Sequence, residues 1–217
     1  MTSLTDGGQS PAKFLTGTAA ATSLLTTPFA DRAQQLPDPC SVVSRSACLA
    51  PGNSTLGAVT DTWIDQASPT QNKGSDSNLY VDSKSDSATM RTLVRFTLPT
   101  LASAYTLTGA NLRLYNEAPT GGRTIDVHRA TSTWNENTVT WSSNVGTAGI
   151  AVAAATDATA GWEQWAVIEQ VQAQYGSNFR FLMRDRTEDA SAGMVKKFRS
   201  KENGVTSTRP QLVISWA

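Results

Sequence analysis

The sequence is short of most of what enzyme chemistry is built from. Its 217 residues include one histidine, His128, and two cysteines, Cys40 and Cys48, in "CSVVSRSAC". One histidine far from both cysteines leaves no ligand set for zinc. No G-x-S-x-G, no H-E-x-x-H and no glycine-rich phosphate loop occurs. A Ser-His-Asp set would have to use His128, which sits in a strand pattern, points outward and reads as a surface or edge histidine. Net charge is also lacking: 18 basic residues balance 18 acidic ones. Bulk attraction to nucleic acid or to a membrane surface is therefore not expected. No apolar run is long enough to span a bilayer as a helix. Carboxylates are plentiful, so a glycosidase-type pair is not excluded by count. A small β-domain, however, offers faces and loop ends rather than a deep cleft, and the chain reads as non-catalytic. The cysteine spacing is compatible with a small disulfide loop and equally with two free thiols.

Residues 1–57 are rich in Thr, Ser, Ala, Gly and Pro, with only Phe14 and Phe29 as aromatics. Such a stretch buries too little apolar area to offset its ordering entropy by itself. It reads as an extended low-complexity arm and a candidate assembly anchor. Within it "KFLTGTAAATSLLTTPFA" faintly resembles a secretory signal, but Asp6 precedes it and threonines interrupt it.

From Ala58 onward the texture changes to period-two segments divided by Gly, Pro, Asn and Ser clusters. "NLYVD" sets Leu79 and Val81 against Tyr80 and Asp82. "RTLVRFTL" turns Val94, Phe96 and Leu98 inward and Arg91, Leu93 and Arg95 outward. "ANLRLYN" buries Leu112 and Leu114 and exposes Arg113 and Tyr115. "TIDVHRA" buries Ile125 and Val127 and exposes Asp126 and His128. "NFRFLMRD" buries Phe179, Phe181 and Met183 and exposes Arg180, Leu182 and Arg184. "PQLVISW" closes the chain. Strands half buried against one core give this alternation. "VIEQVQAQYG" instead has helical spacing with Gly176 as a C-cap. "GTAGIAVAAATDATAG" reads as a long connection with one strand. The expected fold is all-β: a jelly-roll type antiparallel β-sandwich over residues 58–217, with one short helix, preceded by the arm.

Two acidic groups could offer oxygen ligands to calcium. One is Asp61 with Asp65, near Asp76. The other is Asp185, Glu188 and Asp189 in "RDRTEDAS". Solvated turn carboxylates, or partners for neighbouring arginines, are the plainer reading of both. Nine of the 18 basic residues lie on or beside strand patterns: Arg91, Arg95, Arg113, Arg180, Arg184, Lys196, Lys197, Arg199 and Lys201. If several share one face, Tyr80 or Tyr115 would stand among them. Arginine forks grip carboxylates and an aromatic ring can stack on a sugar, so such a face suits an acidic polysaccharide. Cross-strand pairing with Asp or Glu is the competing explanation. Tyr80, Arg91, Arg95, Arg113, Tyr115, Arg180 and Arg184 are the candidate glycan-binding residues. Six tryptophans are many for this length, and some are expected to pack loops onto the sandwich end.

Several blocks, in order, resemble one family. They are "DTWIDQASPTQNKGSDSNLYVDS", "TLVRFTLPTL", "LTGANLRLYN", "VHRATSTWNENTVTWSS", "WAVIEQVQAQYGSNFRFLMRD" and "KKFRSKENGVTSTRPQLVISW". They resemble the DNRLRE domain family, related to a carbohydrate-binding module family, across about residues 58–217. The resemblance implies a β-sandwich without catalytic residues that serves as an accessory or attachment module. Some members bind acidic polysaccharides such as alginate and occur in secreted bacterial proteins. It points to a polysaccharide or cell-surface glycan as partner and to an extracellular, cell-surface or virion-surface location. The uncovered arm suggests an alternative: a structural virion component, such as a phage head-decoration or tail protein, anchored to neighbouring subunits through residues 1–57.

Overall fold

The computed structural model describes residues 48–49, 52–117, 122–176, 179–188 and 195–217. The arm up to residue 51, apart from the backbone of 48–49, lies outside them, and so does the question of a Cys40–Cys48 bond. The strands are β1 (Cys48–Leu49), β2 (Gly52–Gly57), β3 (Thr60–Asp65), β4 (Asn78–Val81), β5 (Met90–Phe96), β6 (Thr100–Leu101) and β7 (Leu107–Asn116). They continue as β8 (Thr124–Ala130), β9 (Thr147–Ala155), β10 (Gly161–Ala166), β11 (Phe179–Asp185), β12 (Lys196–Arg199) and β13 (Gln211–Trp216). The one α-helix of the described residues, α1 (Ile168–Gln172), follows β10.

Two antiparallel sheets form a sandwich. One runs β2-β13-β7-β12-β4, with β10 on the free side of β7; the other runs β3-β5-β11-β8-β9. A two-stranded parallel pair, β1 with β6, stands apart from both. The alternation seen in the sequence is what fills the core. Leu112, Leu114, Leu212 and Ile214 from the first sheet meet Val94, Phe96, Phe179 and Phe181 from the second. The expected helix and the strand within 146–161 are present. The reading of Gly52–Gly57 as arm differs from the structure: "GNSTLG" has one large apolar residue, Leu56, too few for a period, yet it pairs along its length with β13.

Trp165 ties the sheets together. It is 1% exposed, its ring lies edge-on to Phe198 at 6.2 Å, and its indole N–H donates to the Ile125 carbonyl at 3.0 Å. That bond joins β10 of one sheet to β8 of the other.

The second sheet is covered on its outer side as well, which the alternation did not anticipate. Residues 131–146 fold back over it and bring Trp134, Val139 and Val145 onto Ile64, Leu93, Ala130 and Leu182. Leu93 and Leu182 do face away from the sandwich core, as expected, but they are fully buried beneath this loop. Trp134 thus packs a loop onto a sheet face rather than onto the sandwich end. The loop between β3 and β4 braces the cover. The Asn72 side-chain amide donates to the carbonyls of Glu136 and Val139 at 2.7 and 2.8 Å, and Ser142 N–H donates to Pro69 O. Gly74 makes the close approach feasible, since a Cβ there would stand 2.1 Å from the Glu136 carbonyl oxygen. No helix of the described residues is long and apolar enough to cross a membrane.

Trp165→Phe should lower unfolding stability by about 2–4 kcal/mol in urea melts, combining a small cavity with an orphaned carbonyl. Gly74→Ala should also destabilise, through a backbone contact that cannot relax by side-chain rotation. Its melt should match that of a variant with the 131–146 cover loosened, such as Trp134→Ala.

Candidate functional site

The candidate glycan residues fall on two opposite outer faces rather than one. Arg113 and Tyr115 stand on the six-stranded sheet. Arg91, Arg95, Arg180 and Arg184 stand on the five-stranded one, on the far side of the core. Tyr80, in the edge strand β4, lies edge-on to Trp63 at 4.8 Å. Lys196 leaves the basic set: it is 1% exposed, points inward, and its ammonium donates to the Asp157 carbonyl at 2.8 Å. Burial pulls its pKa down, and Glu163 and Asp157 oppose that shift.

On the six-stranded sheet, Arg113 has Gln211 as its cross-strand neighbour in β13 and Gln164 in β10. Next to this row Tyr115 pairs with Trp162, rings 5.7 Å apart and nearly perpendicular. The Arg113 guanidinium lies over Trp162 at 4.5 Å and that of Arg199 over Tyr115 at 4.7 Å. Such cation–ring contacts hold both partners in place. Arg199 and Lys197 share Glu117, at 2.6 and 3.2 Å. Burial alone would raise the Glu117 pKa, but the hydrogen bonds from Arg199 and Lys197 outweigh it and pull it down. Arg113 differs. Among the described residues no carboxylate pairs with it; its Nη1 donates weakly to Gln211 at 3.4 Å, and its Nε is buried without an acceptor. Gln164 and Gln211 were not singled out from sequence, and Trp162 stood there only as one of six tryptophans, any of which could be a sugar platform. The signal was there: tryptophans three apart in "GWEQW" must face opposite ways in a strand, so Trp165 goes in and Trp162 out.

On the five-stranded sheet, ion pairs absorb part of the arginine set. Arg91 grips Glu188 with both arms of its fork, at 2.6 and 2.8 Å, and lies over Trp141 at 4.5 Å. Arg184 approaches Glu188 at 3.6 Å and donates Nε–H to His128 Nε2 at 3.1 Å. His128 is not the surface residue expected: it is 7% exposed, and burial together with Arg184 lowers its pKa, which suits an acceptor. Asp126, expected outward, is likewise buried and pairs with Arg186 at 2.9 Å. Asp185 receives the Arg123 fork, both bonds 2.7 Å. Asp185 and Glu188 are therefore partners of arginines; Asp189 lies outside the described residues. Arg95 and Arg180 remain, opposite one another and, among the described residues, without a carboxylate.

The structure does not bring Asp61 and Asp65 together. Asp65 accepts the Ala67 N–H at 2.9 Å and shapes the turn after β3. Asp61 meets Glu136 and Glu202 instead, with carboxylate oxygens within 4.8 Å of one another. Asp61 N–H donates to Glu136 at 2.7 Å, and Lys201 N–H donates to Asp61 at 2.8 Å. The Lys201 ammonium contacts Glu136 at 3.2 Å and also Glu202. Lys201 thus already stands on two of the three acids, and a calcium ion would have to compete with it. Burial pushes the Asp61 carboxyl well above the usual carboxylate range; Glu202 and Glu136 push the same way, while Lys201 opposes. No sequence pattern links positions 61, 136 and 202, because the contact is made by the fold.

A raised folded-state pKa means that folded Asp61 holds its proton to higher pH than the unfolded chain does. Its contribution is therefore intact below the ordinary carboxylate pKa and declines as pH rises above it. Thermal melts of the wild type and Asp61→Asn should coincide in acid and diverge towards neutral pH, with the Asn variant the more stable. Equal melting temperatures at neutral pH would contradict this.

No curated protein matches the chain. The model of carbohydrate-binding module family 96 matches residues 52–216, from the first residue of β2 to the last of β13. That span holds both sheets, and three quarters of the sequence belongs to it. The chain is a member of carbohydrate-binding module family 96.

Proposed function

We propose that this chain is a non-catalytic attachment module that holds an acidic polysaccharide on the outer face of its six-stranded sheet. One observation carries the reading. Arg113, with no carboxylate of its own, stands between two glutamine amides beside the Tyr115–Trp162 pair. A guanidinium fork fits a uronate carboxylate, the amides fit ring hydroxyls, and the aromatic pair supplies an apolar floor. Lys197 and Arg199 share Glu117 and so leave one net positive charge along the same face. Family membership supports a glycan as partner and a place outside the cell or on a surface. The virion alternative rests on residues 1–57, nearly all outside the described residues, and no contact of the sandwich favours it.

Calorimetry of the full chain against polyuronate and neutral oligosaccharides tests the proposal. Saturable binding to the acidic set is expected. Arg113→Gln should weaken it by about tenfold, near the value of one charge-assisted hydrogen bond. Trp162→Ala should weaken acidic and neutral sugars alike. Undiminished uronate binding in both variants would remove the site from this face.

A further inference from the structure

The five-stranded sheet bears a second feature. Thr60, Arg95 and Arg180 lie side by side on β3, β5 and β11, Thr60 opposite Arg95 and Arg95 opposite Arg180. Cross-strand partners share a face, here the outer one. Directly opposed like charges on a sheet are unfavourable. Elsewhere on this face the strand arginines Arg91 and Arg184 have Glu188, and Arg186, just past β11, has Asp126. Among the described residues neither Arg95 nor Arg180 has a carboxylate. Thr60 Oγ1, Arg95 Nε and Arg180 Nε are each buried from solvent without a hydrogen-bond partner. Three residues in one cross-strand row thus each carry an unpartnered polar atom, and the last of the row, Arg180, borders a groove. Arg180 lines a cleft of about 640 Å³ with Thr97, Leu98, Pro99, Leu101 and Tyr175. The Tyr175 hydroxyl donates to the Pro99 carbonyl at 2.8 Å, which fixes a half-open ring at the cleft wall.

We propose that Thr60, Arg95 and Arg180 form a second oxyanion subsite, on the face opposite Arg113, that takes a carboxylate or sulfate group of an acidic polysaccharide. One oxyanion seated between the two guanidinium forks can accept from both, and from the threonine hydroxyl once the side chains close around it, which relieves the like-charge contact. The sugar ring that carries the anion fits the adjoining cleft beside Tyr175. With sites on both sheets the module bridges two polymer strands instead of holding one. The bridging rests on the reading of the Arg113 face; the oxyanion subsite does not.

The test uses the full chain, the double variant Arg95→Gln/Arg180→Gln, and Arg113→Gln. Sodium sulfate should raise the wild-type melting temperature more than sodium chloride of equal ionic strength, and the double variant should lose that excess. In chloride alone the double variant should melt higher than the wild type, because an uncompensated pair is gone. Calorimetry with oligouronate and with sulfated oligosaccharide should give two sites per chain. The double variant should weaken one of them on the order of 100-fold, as expected for two charge-assisted bonds, and leave the other. The stronger of the two ligands at that site identifies carboxylate or sulfate as its anion. Long polyuronate should turn turbid with the wild type and stay clear with either variant. One site per chain, lost in Arg113→Gln and untouched in the double variant, overturns this subsite and leaves the first reading standing. One site lost only in the double variant does the reverse. Equal binding of polyglutamate would show that the row reads charge without sugar and overturn its assignment to a glycan. Silence to sulfate and to every polymer also overturns it.

Discussion

Every strand of a sandwich has two sides, and the core takes only one. The consequences of that constraint run through the whole molecule. The inner sides are settled by apolar burial, worth roughly 25 cal/mol per Å², and are pinned across the gap by the Trp165 indole on the Ile125 carbonyl. The outer sides must be wetted, covered or used. On the five-stranded sheet the 131–146 loop covers one stretch and builds a second, smaller apolar layer from Leu93, Leu182 and Trp134. What the cover leaves open on that sheet, and the whole outer side of the other, is where polar and aromatic side chains gather.

The inward set was legible because burial imposes a period of two that local sequence displays. Leu112 and Leu114, or Phe179 and Phe181, need no partner to be recognised as core residues. The outward set was only half legible. Alternation says that Arg113 and Arg95 face out, but it does not say that their strands belong to different sheets. Sheet membership is a long-range property: β7 pairs with β13 about a hundred residues away, while β5 pairs with β3 and β11. The same holds for Leu93, outward by period and buried by a loop whose own sequence, "TSTWNENTVTWSS", carries no periodic signal, and for His128 and Asp126, outward by period and buried beside the arginines that bond them. β2 escaped notice for the opposite reason, since its pairing with β13 is made by backbone groups and demands little of its side chains.

Charge follows one rule on both faces. An arginine beside a carboxylate is a brace, and an arginine without one is available. Glu188 disposes of Arg91 and Arg184, Glu117 of Arg199, and Asp185 of Arg123. The remainder is small and specific, which makes the outer faces readable residue by residue even though the net charge of the chain is zero. The acidic counterpart is the Asp61, Glu136 and Glu202 group, where the single ammonium of Lys201 serves Glu136 and Glu202, and Asp61, left with the Lys201 backbone N–H, is pushed towards its neutral form.

The pairing of β2 with β13 also has a mechanical meaning. Gly52 lies opposite Trp216, so the two ends of the matched span lie side by side, at one edge of one sheet. A pull that separates those ends loads the antiparallel ladder one rung at a time, from Gly52↔Trp216 towards Gly57↔Gln211. Ladders loaded this way peel at low force, while the same bonds loaded along the strands would share the load and resist. β2 is therefore a mechanical fuse. Under tension applied at those two residues it detaches first, lengthens the span by its six residues, and exposes the backbone edge of β13 while the Trp165 pin still holds the two sheets together.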